Sequence, residues 1–147
     1  TVVLDAEHIG DFRDSLLTLT DIAVGSEDFG HREFGTSNPE DTISILREAG
    51  VSFAGVTLGA RGSVADWGDG LRRFRSIKVE VVDTTGAGDI FHAALAFAAY
   101  KKMTPVEMMS FATVAAGRSC EALGGRSAIP SCHAIYKRLE AEGNLEI

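Results

Sequence analysis

VEVVDTTGAGDIFHAALAFAAY, residues Val79–Tyr100, changes character twice along its length. Val79–Val82 is short, β-branched and bounded by charge, the pattern of a strand. Asp83-Thr84-Thr85-Gly86-Ala87-Gly88 breaks it, since two glycines permit backbone angles that other residues resist. From Asp89, residues Ile90, Phe91, Ala94, Leu95, Phe97 and Ala98 recur at helical spacing. The spacing predicts strand, glycine loop, helix. A helix start carries unpaired N–H groups and partial positive charge, and small residues let an anion come close to them. A carboxylate at the mouth of such a loop, Asp89, can take a proton from a substrate hydroxyl while the N–H groups hold a phosphoryl group in transfer. The residues alone leave a plainer alternative open, with Asp89 an N-cap and the glycines a tight turn.

The composition narrows the classes. At 147 residues the chain suits one domain with a genuine core, and 45% hydrophobic with 24% charged residues is ordinary for a soluble globular protein. A net charge of −7 argues against nucleic acid or an anionic membrane as a partner. No apolar run approaches the ~20 residues that span a bilayer, and the start shows no signal peptide. Two cysteines, Cys120 and Cys132, make no disulfide framework; reduced thiols in a cytoplasmic protein are expected. The four histidines follow no zinc spacing. His92, one turn beyond Asp89, reads as a packed helix residue.

Outward from the central stretch, strands and helices alternate. Val2–Leu4 reads as a strand already under way, so the chain is expected to open in the middle of a fold. Ile9–Leu19 has helical spacing through Phe12, Leu16, Leu17 and Leu19, and Asp21–Val24 is a second strand. Ser26 is placed to cap a short helix whose first turn holds Glu27 and Asp28. Asn38-Pro39-Glu40-Asp41 starts a helix that Gly50 ends. Val51–Leu58 is a strand, Ser63–Trp67 and Leu71–Ile77 form a hairpin around Gly68-Asp69-Gly70, and Pro105–Cys120 and Ser131–Glu142 are helices. The order predicts a doubly wound, mostly parallel α/β sheet flanked by helices, with one small hairpin. Ligands of such sheets lie beyond the carboxyl ends of the strands, where the glycine loops fall.

The string Asp83–Ala94, DTTGAGDIFHAA, resembles the signature of the ribokinase-like (PfkB) carbohydrate kinases. The resemblance implies that Gly86, Ala87 and Gly88 form an anion hole, that Asp89 is the catalytic base, and that ATP and Mg2+ are the cofactors. Val56–Gly62, VTLGARG, is similar to the segment that lines the phosphate and ribose side of ATP, which implies nucleotide roles for Thr57, Gly59 and Gly62, and Thr84 of the DTTGAGD string is given a nucleotide role by the same resemblance. Without it, the same glycines are a turn into the hairpin and Arg61 a solvated charge. Gly25-Ser26-Glu27-Asp28 stands where much of the family has Asn-x-x-Glu, linked to magnesium and phosphate. Here Gly25 replaces the Asn and Asp28 the Glu, one methylene shorter. A helix start with acidic dipole partners explains the same residues. SEDF also resembles a variant in ketohexokinase-like members. Asp83 and Thr85, with Ser119, Gly124 and Ala128, match a monovalent-cation site, so K+ joins the implied ions. Ala112–Gly117 matches an adenine-pocket wall, and core packing explains its alanines equally well.

The likeness runs from Val3 to Pro130 but corresponds to the C-terminal, nucleotide-binding and catalytic half of a typical member. The half that recognises the sugar is not visible, so the expected sheet is incomplete and leaves an open strand edge, a route to homo-oligomers. Two functions stay open. One is a carbohydrate kinase, moving the ATP γ-phosphoryl group to a sugar hydroxyl. The other is a catalytically silent fragment that binds nucleotide or a partner.

Overall fold

The computed structural model describes residues 1–147, and the chain divides into two compact units, Thr1–Arg73 and Phe74–Ile147. The first unit holds the sheet. Its strands are β1 (Val3–Ala6), β2 (Ile22–Ser26), β3 (Phe53–Thr57), β4 (Ser63–Asp66) and, at the boundary, β5 (Arg72–Phe74), lying in that order. β1, β2 and β3 are parallel; β4 returns antiparallel to β3 with Thr57 opposite Ser63. The expected mostly parallel sheet with one small hairpin is present.

β2 and β3 read as near-continuous apolar runs because they are covered on both faces. Their residues Ala23, Val24, Ala54 and Val56 are completely buried. The connections are α1 (Arg13–Leu17), α2 (Glu27–Phe34) and α3 (Pro39–Glu48). α2 and α3 start where local chemistry dictates: Ser26 Oγ accepts the Phe29 N–H at 3.2 Å, and Asn38 Oδ1 accepts the Glu40 N–H at 3.1 Å ahead of Pro39. Caps of this kind contribute about 1 kcal/mol each. α3 lays Ile43 and Leu46 onto the core formed by Leu17, Phe29, Ala54 and Val56. Trp67 stacks on Phe53 beside the hairpin turn, with ring centroids 5.7 Å apart.

The second unit is three helices: α4 (Ala87–Tyr100), α5 (Pro105–Ser119) and α6 (Cys132–Glu142). α4 packs on α5 and α5 on α6, with Phe111 between Phe97 and Tyr136 at 5.7 and 5.5 Å. Thr104 and Glu107 form a reciprocal capping box at the start of α5, and Ser131 caps α6.

Two expectations need correction. Val79–Val82 is not a strand: Val81 and Val82 are 60% and 56% exposed, and the Val82 and Asp83 N–H groups both donate to the Cys120 carbonyl at the end of α5. β-branched residues favour extended backbone, but a strand also needs a neighbour to complete its ladder. Ile9–Leu19 is also not one helix. It is a 3-10 turn at Gly10–Phe12 followed by the five residues of α1, and Phe12 and Leu19 are 77% and 71% exposed. Gly10 at φ +55 sets Ile9 off from the helical path, and Phe12, at φ −93 and ψ 6, separates the turn from α1.

Candidate functional site

The residues singled out in the sequence fall into two groups, one in each unit. In the first unit, β2 and β3 end side by side, with Ser26 paired to Thr57 in register. Thr57 Oγ1 donates to the Gly25 carbonyl at 3.3 Å, tying the two strand ends together. Gly59 and Gly62 bracket a 3-10 turn, Gly59–Arg61, at φ +59 and +92, angles that require glycine or strain any other residue. The turn closes through Gly62 N–H to the Gly59 carbonyl and Leu58 N–H to the Gly62 carbonyl. Asp28 lies in the first turn of α2, exposed. The sequence thus brings Asp28, Thr57, Gly59 and Gly62 to the carboxyl ends of two adjacent parallel strands. Arg61, read as a solvated charge, instead forms an ion pair with Glu27.

Gly25 is packed too tightly to be anything else. A Cβ there would lie 2.4 Å from Phe29 Cδ1 and 3.0 Å from the Ala6 carbonyl oxygen. Phe29 is fully buried and cannot step aside cheaply. Ser63 Oγ, cross-strand from Thr57, is buried and finds no hydrogen-bond partner.

In the second unit, the DTTGAGD loop runs into α4 two residues sooner than predicted. The N-cap is Gly86, at φ +76, so Ala87, Gly88 and Asp89 form the first helical turn. The plainer reading of Asp89 as the N-cap is therefore excluded. Among the five helices of eight residues or more, α4 is the one whose cap position offers no side-chain acceptor. The Thr84 carbonyl takes the Ala87 N–H at 3.1 Å, and the Gly86 carbonyl takes the Ile90 N–H at 2.9 Å. Asp89 is exposed beside this opening.

The two glycines of the loop differ in kind. Gly86 needs its left-handed angle and sits against Gly125, with a Cβ placed 3.4 Å from Gly125 Cα. Gly88 has no such need: its φ is not positive, and a Cβ would meet nothing within 4 Å. Packing leaves the choice of glycine at 88 unexplained. A ligand brought down onto the helix start accounts for it, because a bare backbone there admits the closest approach.

The loop is held from behind by Asp83. Its carboxylate accepts the Thr85 N–H at 2.9 Å and the Gly124 N–H at 2.8 Å. These bonds, with the Thr85 hydroxyl, hold its pKa below the usual carboxylate value, led by the Thr85 N–H. Gly125 completes the buttress, since a Cβ on it would stand 3.0 Å from the Thr85 carbonyl oxygen. Sequence reasoning passed over Gly125; the adjacent glycines 124 and 125 were its only signal. Ser119 Oγ donates to the Ala116 carbonyl in its own helix. Ala112 and Ala115 of the expected adenine wall are buried in the core, and Gly117 lies against Ile77.

No three metal-binding side chains come together anywhere in the chain. A cavity of about 610 Å³ is lined by Lys101, Val106, Glu107, Phe111, Tyr136 and Asn144 and includes none of the predicted site residues. No helix is long and apolar enough to cross a membrane.

Comparison with known proteins yields a consistent set. The profile of the pfkB family carbohydrate kinases matches residues 2–132. The ATP-dependent 6-phosphofructokinase of Thermoanaerobacterium thermosaccharolyticum is 36% identical over 92 residues, 62% of this chain and 29% of that protein. The structure of Arabidopsis thaliana ribokinase complexed with ribose and ATP superposes with a TM-score of 0.82 at 28% identity, covering 95% of this chain and 47% of that one. An E. coli ribokinase-like protein solved with ATP and Mg2+ gives a TM-score of 0.81 at 25% identity, covering 89% and 42%. The chain thus spans less than half the length of these relatives.

Proposed function

This chain belongs to the pfkB family of carbohydrate kinases, and from that premise we propose that it is the nucleotide-binding and catalytic half of a kinase that transfers the ATP γ-phosphoryl group to a sugar hydroxyl. The observation that carries the reading is the bare start of α4. A left-handed Gly86 cap without a side-chain acceptor, open space above Gly88 and a carboxylate at Asp89 occur within four residues. N–H groups so presented stabilise charge developing on phosphoryl oxygens. Asp89 takes the proton of the acceptor hydroxyl as its oxygen bonds to the γ-phosphorus, and the bond to the bridging oxygen breaks to release ADP.

Thr57, Gly59, Gly62 and Thr84 are assigned to the nucleotide, supported by the tight glycine turn at the end of β3 and by the ATP bound in the solved relatives. When bound, Mg2+ neutralises charge on the β- and γ-phosphate oxygens. Asp28 is the residue assigned to it; one exposed carboxylate fits a cation that keeps waters and phosphates as its other ligands. Asp83 and Thr85 are retained for K+, with the Asp83 oxygens already engaged by two backbone N–H groups. Cys120 and Cys132 are free thiols, which agrees with a cytoplasmic setting.

The test is calorimetric titration with Mg-ATP alongside turnover on a panel of sugars. Asp89→Asn is expected to abolish transfer while leaving ATP affinity within a few-fold. Equal turnover in that variant would remove Asp89 from the mechanism. A second reading rests on length: a chain covering 29% to 47% of three relatives can bind nucleotide without completing a sugar site. It predicts Mg-ATP binding with no turnover on any sugar.

A further inference from the structure

His92 lies in the second turn of α4, partly buried, with its ring edge-on to Phe91 at 5.7 Å. Its Nδ1 is 2.8 Å from the Gly88 carbonyl oxygen. A carbonyl can only accept, so Nδ1 carries the proton and donates. The helical pattern already assigns that carbonyl the His92 backbone N–H, so the histidine holds it twice, from main chain and side chain.

The location of this carbonyl gives the bond its meaning. The peptide unit is planar, so the Gly88 carbonyl and the Asp89 N–H turn as one body. Gly88 brings no side chain to steady that body, and nothing stands within 4 Å of where its Cβ would be. The openness that suits an approaching phosphate also means that no side-chain packing at Gly88 restrains the peptide, which is left to its hydrogen bonds. Asp89 N–H belongs to the first turn of a helix with no side-chain cap, and the Asp89 carboxylate projects from the next Cα.

We propose that His92 is a positioning residue of the phosphoryl-transfer site: through its Nδ1–H bond to the Gly88 carbonyl it fixes the Gly88–Asp89 peptide, and with it the direction of the Asp89 N–H and the base that follows. This rests on the function proposed above for α4. The histidine acts through Gly88 and takes no proton from the substrate.

The experiment compares His92→Leu, which removes the donor and keeps bulk, with His92→Asn, whose Nδ2 can replace Nδ1. Three quantities are measured: thermal midpoint, the hydrogen-exchange protection factor of the residue 92 backbone amide, which shares the Gly88 carbonyl, and Mg-ATP affinity by calorimetry. In the leucine variant, that protection and Mg-ATP affinity are each expected to fall by roughly three- to tenfold, the scale of one ordinary hydrogen bond. Asparagine is expected to restore both, with thermal midpoints of all three proteins alike. Unchanged protection of this amide in His92→Leu overturns the proposal, as does an asparagine variant no better than leucine. If exchange responds as expected but the unmutated chain binds no Mg-ATP, the proposed function of α4 fails. His92 then merely holds a helix end, which also overturns its assignment to the site.

Discussion

Asp83 Oδ2 accepts the Gly124 N–H at 2.8 Å, joining positions 41 residues apart. Its other oxygen serves Thr85, so one carboxylate sets the spacing between the loop before α4 and the loop after α5. Asparagine offers one acceptor and would turn an amide N–H toward the other donor. Asp83→Asn is therefore expected to lower the thermal midpoint at pH 7. The folded pKa is depressed, so this stabilisation is present above the unfolded value near 3.9 and disappears as pH falls through the folded one. The gap between variant and unmutated protein should close as thermal melts are taken from pH 7 to below pH 3. A gap independent of pH would mean that the charge of Asp83 is not what matters.

Gly88 offers a separation of stability from function. Glycine in a helix is less stable than alanine by roughly 0.5–1 kcal/mol, and nothing obstructs a Cβ here. Gly88→Ala is expected to leave urea stability equal or slightly improved. If the space above it receives a phosphate, the same methyl group should weaken Mg-ATP binding by tenfold or more. Calorimetry showing unchanged affinity would place the phosphate elsewhere.

The start of α5 gives a purely structural control. Glu107 accepts both the Thr104 N–H and hydroxyl at 2.8 Å, and Thr104 Oγ1 accepts the Glu107 N–H at 3.4 Å. Thr104→Ala should cost about 1 kcal/mol in urea unfolding. It should leave nucleotide affinity untouched. A change in affinity here would show that any loss of helix stability in the second unit reaches the site, and would weaken the interpretation of the Gly88 and His92 variants.

Legibility in the sequence followed the range of the interactions. The caps Ser26 and Asn38 and the glycine stop at Gly50 are decided within a few residues, and they appear where the sequence placed them. The DTTGAGD loop leading into a helix was legible for the same reason, but its Gly86 cap without a side-chain acceptor was not. Val79–Val82 was misread because strand formation depends on a partner far away in sequence, which no local pattern reveals. The Asp83–Gly124 bond, the Gly86–Gly125 contact and the Glu27–Arg61 pair also join distant segments. Only the fold shows that a loop aspartate braces the site or that the surface arginine has a partner.

Gly25 stands against an asparagine of the motif that the sequence resembles, and the structure supplies a reason that asparagine cannot be introduced here alone. The first side-chain atom would enter the Phe29 ring, 2.4 Å from Cδ1 and 2.8 Å from Cγ, with the Ala6 carbonyl 3.0 Å away on another strand. Phe29 is completely buried and meets Phe34 edge-on at 5.3 Å, so moving it disturbs the core of the first unit. Gly25→Asn is expected to destabilise the chain by about 1–3 kcal/mol in urea unfolding, the scale of overpacking. Gly25→Asn with Phe29→Leu removes the ring and should recover part of that loss. Additive losses in the double variant would show that the Phe29 ring is not the obstacle and would point to the Ala6 carbonyl instead.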